Sequence, residues 1–185
     1  MRMDLRRIVL FLAVLTPFFP LRAQVSWRDR LAQDLVSMGE HNWIVVAEPA
    51  FPLPNSTGIV VMPTELSQTD LVTVVLNAVA AARHVRPSYY TATELPFVPE
   101  QDAIGIGSYR AQLAPMLKSG ETQGLPEQEL EAKLDAASRN YRVLVLKSTT
   151  LLPYSSLFIE LRNGYWSPDA EKRLRAAMET KPAGQ

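Results

Sequence analysis

The sequence predicts an α/β fold built around a mostly parallel sheet. Short apolar runs rich in valine and isoleucine alternate with longer segments of helical periodicity, which is typical of strands joined by helical connections. The chain has 185 residues, 47% of them hydrophobic, which is enough for one domain with a buried core. No internal repeat or low-complexity segment in the sequence indicates a second domain.

The first predicted elements are an amphipathic helix and two short strands. One face of the helix carries apolar residues at spacings of four, four and three, namely Trp27, Leu31, Leu35 and Met38. Gly39 is well placed to end this helix. The β-branched run at 43–47 is too short for a helix and predicts a buried strand, and a second run, at 58–62, predicts another strand.

A long buried helix and a third strand follow. Ser67 and Asp70 form a capping-box pattern ahead of the nearly all-apolar segment 71–83, which predicts a helix with little polar face. Pro87 ends that helix, and residues 88–95 predict a strand.

The stretch 99–129 predicts only a turn and a short helix. Its Gly105-Ile106-Gly107 sequence lacks both a third glycine and a preceding strand, so it is a weak phosphate-loop pattern.

The remaining elements complete the α/β alternation. Residues 129–141 predict an amphipathic helix, and 141–148 and 155–161 predict strands. Ser167-Pro168-Asp169 is a helix-start signal, and we expect the last helix to run to about Thr180.

The N-terminus has the order of a secretory signal peptide. Three arginines precede the apolar run 8–19, and Ala23 offers a small residue at the cleavage point. An uncleaved membrane anchor is the alternative, but the run falls short of the roughly 20 residues that span a bilayer. We expect residues 1–23 to be removed, giving a periplasmic or secreted bacterial protein with no membrane contact after cleavage.

Composition excludes several function classes. The 19 Lys+Arg balance the 19 Asp+Glu, and no basic stripe is present, so we expect no nucleic-acid partner. The absence of cysteine excludes disulfides, thiolate metal sites and a cysteine nucleophile.

Two segments resemble the ribose pyranase / fucose mutarotase family. Residues 39–57 match the family's Gly-His, apolar strand, Asp-Ala and proline-containing loop with Ser-Thr. Residues 143–159 match its strand, basic residue, Pro-Tyr-x-Asn turn and final strand. The resemblance covers about residues 28–160. It implies a three-layer α/β/α sandwich that forms ring-shaped homo-oligomers, in residues 24–166, with 167–185 as an added C-terminal helical extension.

The resemblance also implies the catalytic residues. Glu40 takes the position of the family's first histidine, with His41 one residue later, and Glu48 that of its aspartate. Tyr154 matches the family's tyrosine. The second histidine has no counterpart, and Glu127 is the nearest residue. Read locally, Glu40 and His41 are typical of a solvated turn and Tyr154 of a turn aromatic, whereas Glu48 follows a strand, where α/β proteins place ligands.

The implied substrate-binding residues are Ser56, Thr57, Lys147 and Ser156. Ser156 replaces the family's asparagine, and Lys147 is equally typical of a strand-end surface lysine. The proline-containing loop that ends at Ser56 and Thr57 is rigid, which suits hydroxyl contacts to a sugar. No metal ligand set and no cofactor are expected.

Three functions remain open from the sequence. The first is an exported enzyme that interconverts cyclic forms of a free monosaccharide resembling ribose, fucose or galactose, with carboxylates in place of imidazoles. The second is a noncatalytic sugar-binding module. The third is a structural envelope protein whose function is oligomerisation.

Overall fold

The computed structural model describes residues 25–52 and 55–180. The signal-peptide prediction for residues 1–23 therefore lies outside the described part of the chain. Within that part, no helix combines the length and apolar character needed to cross a bilayer.

A mixed six-stranded sheet forms the centre of the domain, in the order β2-β5-β1-β6-β3-β4. Five strands run in one direction, and β6 runs antiparallel between β1 and β3. The predicted mostly parallel sheet is confirmed. The strands are β1 Trp43–Ala47, β2 Ile59–Pro63, β3 Val85–Ala92, β4 Glu121–Leu125, β5 Val143–Lys147 and β6 Leu157–Asn163.

Helices cover both faces of the sheet, giving the expected three layers. Apolar side chains of the first three helices pack with Ile44 and Val46 on one face. Those of the fourth helix pack with Val45 on the other face, because alternate residues of a strand point to opposite sides. The helices are α1 Trp27–Ser37, α2 Gln68–Ala81, α3 Ile106–Met116, α4 Glu127–Ser138 and α5 Pro168–Thr180.

Serine caps fix three helix starts. The Ser67 hydroxyl accepts a hydrogen bond from the backbone N–H of Asp70 at 3.2 Å, as its capping pattern predicts. Ser26 does the same for α1 at 3.1 Å, and Ser167 for α5 at 3.1 Å. Each such cap stabilises a helix by about 1 kcal/mol. The predicted C-terminal helix is confirmed, and none of its side chains is buried.

The sequence prediction was wrong about part of 99–129. This stretch holds the 11-residue helix α3 and the strand β4, which was not predicted. β4 lies at the sheet edge and is mostly exposed, so it lacks the apolar alternation of a half-buried strand.

The third strand also begins earlier than predicted, at Val85. Pro87 lies inside it, and the pairing with β4 starts only at Ser88. A residue without a backbone N–H is tolerated where a strand edge is unpaired.

Gly58 lies where the loop before β2 touches the end of α4. A Cβ at this position would lie 1.9 Å from the backbone oxygen of Ser138. Because backbone atoms must move to relieve that clash, we expect Gly58→Ala to lower the free energy of unfolding by about 3 kcal/mol. Gly39→Ala is the matched control, since a Cβ there meets nothing within 4 Å. Denaturant unfolding of both variants checks this, and equal midpoints would contradict it.

Candidate functional site

Polar residues converge where the parallel strands end. Glu48 directly follows β1, and Glu127 begins the helix that follows β4. Because β6 is antiparallel, the turn before it, with Tyr154 and Ser156, lies at the carboxyl ends of the parallel strands. Open α/β sheets place their ligands at these carboxyl ends.

A cavity of about 290 Å³ opens at the carboxyl ends of the parallel strands. Two glutamates and a tyrosine line it, namely Glu48, Glu127 and Tyr154. The rest of the wall is mainly apolar: Pro49, Ala50, Leu151, Leu152 and Pro153. A few polar groups in an apolar pocket of this size suit a small organic ligand.

Glu48 is held in place by a buried serine. The Glu48 residue is only 8% exposed, and Ser156 is 1% exposed. The Ser156 hydroxyl donates a hydrogen bond to the Glu48 carboxylate, and it accepts a 3.4 Å bond from the Glu48 backbone N–H. Ser156 therefore orients the carboxylate, and the cavity presents it in a fixed direction.

The turn before β6 is anchored to the sheet and to two helices. The backbone oxygen of Ser155 accepts hydrogen bonds from the Tyr109 hydroxyl at 2.6 Å and from Gln68 Nε2 at 2.8 Å. Gln68 Nε2 also donates to the Val46 oxygen at 2.9 Å. Tyr154 has a φ of 57°, a left-handed conformation that non-glycine residues adopt at a cost of about 1 kcal/mol or more. The anchored neighbour holds this strained residue beside the cavity.

Glu127 is the second carboxyl group of the cavity. Partial burial and the negative charges of Glu48, Glu131 and Glu94 raise its pKa to about 7. Its Oε1 atom is buried and has no hydrogen-bond partner among the described residues. The Glu94 carboxylate accepts from the backbone N–H of Glu127 at 3.2 Å, which fixes the start of α4. At neutral pH the Glu127 carboxyl group is therefore partly protonated and can donate a proton.

Lys147 holds the loop that borders the cavity. Its ammonium group donates to the backbone oxygens of Pro49 and Phe51, each at 2.9 Å. These bonds tie the loop after β1 to the end of β5. The predicted sugar contact of Lys147 stays a prediction, since Lys147 is not part of the cavity wall.

The other predicted site residues lie at the opposite ends of the strands, before β1 and β2 begin. Ser56 and Thr57 precede β2, and Glu40 and His41 precede β1. A single chain thus brings Glu48, Tyr154 and Ser156 together but not these four. The proposed roles of the four stay predictions.

Glu40 lines a separate cleft of about 470 Å³ with Arg86, Arg162 and Trp166. Nearby, His41 Nδ1 lies 3.7 Å from the Glu160 carboxylate, and this carboxylate accepts a hydrogen bond from the Tyr90 hydroxyl at 2.9 Å. Burial and this hydrogen bond raise the pKa of Tyr90.

No role was predicted for Glu127 from the sequence. The missing signal was β4, because a carboxylate that follows a strand and opens a helix is a typical site position. Among the described residues, no group of three or more His, Cys, Asp or Glu side chains is placed to hold a metal ion.

Comparison with solved structures shows the fold of this chain. Neither a protein-family model nor a curated protein matches its sequence. The structure of Bacillus subtilis RbsD complexed with D-ribose superposes with a TM-score of 0.52 and 17% identity, over 72% of this chain and 91% of that one. FucU from Bifidobacterium longum gives a TM-score of 0.50 and 14% identity, over 72% and 93%. The chain therefore has an RbsD/FucU-like α/β fold.

Proposed function

We propose that this protein binds free aldoses and opens and recloses their rings, with Glu48 and Glu127 as the acid–base pair. The observation that carries the proposal is the shared cavity, in which one carboxylate is fixed by a buried serine and the other carboxyl group has a pKa near 7. Two carboxyl groups in different environments can act as base and acid at one pH.

The reaction needs only proton transfers. The Glu48 carboxylate removes the proton of the anomeric hydroxyl, the bond between the anomeric carbon and the ring oxygen breaks, and an aldehyde forms. The protonated Glu127 gives its proton to the ring oxygen as that bond breaks. The ring closes again when the same oxygen attacks the other face of the aldehyde, or when a different hydroxyl attacks the aldehyde. Both proton transfers then run in reverse, which restores the Glu48 carboxylate and the protonated Glu127. Such catalysis typically contributes 10²- to 10⁴-fold.

Two further residues position the reactants in this scheme. Ser156 orients the Glu48 carboxylate. Tyr154 lines the same cavity as Glu48 and Glu127, and in this scheme it orients the sugar. The scheme uses no metal and no cofactor.

A free monosaccharide resembling ribose, fucose or galactose is the ligand class we propose. The solved RbsD structure with the same fold contains D-ribose, and this supports a sugar ligand for the present cavity. The cavity volume of about 290 Å³ suits one sugar ring.

Export and self-association are part of the proposal. The signal-peptide pattern of residues 1–23 supports a periplasmic or secreted protein, and the mass of the chain from a bacterial envelope fraction would test it. An apolar groove between α1 and α2, where Val36 is exposed, supports a homo-oligomer that light scattering would detect.

A noncatalytic sugar-binding module is the second candidate. Neither histidine of the chain lines the cavity, so the groups whose ordinary pKa lies nearest neutrality take no part there.

Exchange NMR on ribose, fucose and galactose separates the two candidates. We expect the protein to accelerate exchange between ring forms, with saturation as the sugar concentration rises. Methyl galactoside is the control, because it lacks the free anomeric hydroxyl and should bind without exchange. Saturable binding without acceleration would favour the noncatalytic module, and the absence of both would leave the structural role.

A further inference from the structure

A groove adjoins the Glu48–Glu127 cavity and shares a wall with it. The groove has a volume of about 640 Å³, more than twice the 290 Å³ of the cavity. Pro153 and Tyr154 line both depressions. A ligand larger than one ring that occupies the cavity would therefore extend past Tyr154 into the groove.

We propose that the groove binds the second ring of an uncharged reducing disaccharide. The reducing ring of that ligand occupies the Glu48–Glu127 cavity, where its anomeric hydroxyl is free to react. The inference rests on the proposed function, since it takes the cavity as the place where a sugar ring opens.

The groove wall offers the contacts that a sugar ring uses. The Phe97 side chain is 84% exposed and forms part of the wall. Its flat apolar face can pack against the C–H groups of a pyranose. Thr93, Glu94 and Asp102 add oxygen atoms that accept hydrogen bonds from sugar hydroxyls.

The charges around both depressions select against anionic ligands. Among the described residues, no lysine or arginine lines either depression, whereas four acidic residues do. They are Glu48, Glu94, Asp102 and Glu127. A phosphate or carboxylate on the sugar would be repelled, so the ligand that fits is uncharged.

The turn that carries Phe97 is rigid before any ligand binds. One guanidinium nitrogen of Arg110 donates to three backbone oxygens of this turn, at 2.9 to 3.1 Å. The three acceptors are Leu95, Pro96 and Val98. An aromatic side chain on a turn fixed in this way binds a ring without a further ordering cost for the backbone.

Calorimetry with galactose and with galactobioses linked through O3, O4 or O6 of the reducing ring tests the inference. We expect at least one galactobiose to bind about tenfold more tightly than galactose. Phe97→Ala should remove that advantage and leave galactose affinity within about twofold. The matched control is Ile104→Ala, which removes an 88% exposed apolar side chain outside the groove and should keep the advantage.

Two results would overturn the inference: no galactobiose binds more tightly than galactose, or the advantage survives in Phe97→Ala. Exchange NMR on galactose with the same samples reports on the proposed function separately. Accelerated galactose exchange without a disaccharide preference refutes only the groove. A disaccharide preference that depends on Phe97, without accelerated exchange, supports the groove and refutes only the ring-opening activity.

Discussion

Glu48→Gln is expected to lower the rate of enzyme-dependent ring exchange by roughly 10²- to 10⁴-fold, the usual contribution of a general base. The amide cannot take the proton of the anomeric hydroxyl, yet its oxygen can still accept the hydrogen bond from Ser156. We therefore expect the variant to fold and to bind sugar with nearly unchanged affinity. Exchange NMR gives the rate, and calorimetry gives the affinity.

Glu40→Gln is the matched control for this substitution. Glu40 lines the separate cleft at the amino ends of the parallel strands. Within one chain it therefore cannot reach a sugar bound beside Glu48. We expect its exchange rate to stay within about twofold of the unaltered protein. An equal loss of rate in both variants would mean that the sugar site is shared between subunits, and full activity of Glu48→Gln would remove Glu48 as the base.

Glu127→Gln is expected to produce the second large loss, about 10²-fold or more below pH 7. The amide has no acidic proton to give to the ring oxygen at these pH values. Glu129→Gln is the matched control, since Glu129 also lies in the first turn of α4 but is exposed and outside the cavity. If the two variants exchanged sugar at the same rate, Glu127 would not be the acid.

Most of the sheet and helices could be predicted from the sequence because their signals are local. The β-branched run 43–47 and the capping pattern at Ser67 each fix an element without reference to the rest of the chain. Glu121–Leu125 could not be predicted in this way. It is a strand only because the outer edge of β3 offers it backbone partners, and most of its own side chains are polar and exposed.

The candidate site was predicted less well for the same reason. Glu48 and Tyr154 were predicted because each lies in a segment that resembles a known family, and both line the cavity. Glu127 was missed because its place at the cavity depends on β4. Ser56 is separated from Glu48 because β2 runs parallel to β1: Ser56 precedes the start of β2, whereas Glu48 follows the end of β1, and these lie at opposite ends of the strands.

The pH dependence of saturable ring exchange tests the acid–base pair most directly. The pKa of Glu127 is raised from its ordinary value to about 7, so Glu127 carries its acidic proton below pH 7 and loses it as the pH rises through that value. We predict that the enzyme-dependent rate falls tenfold per pH unit above about pH 7. This falling limb should disappear in Glu127→Gln and persist in Glu129→Gln. No saturable exchange between pH 5 and pH 9 would contradict the account.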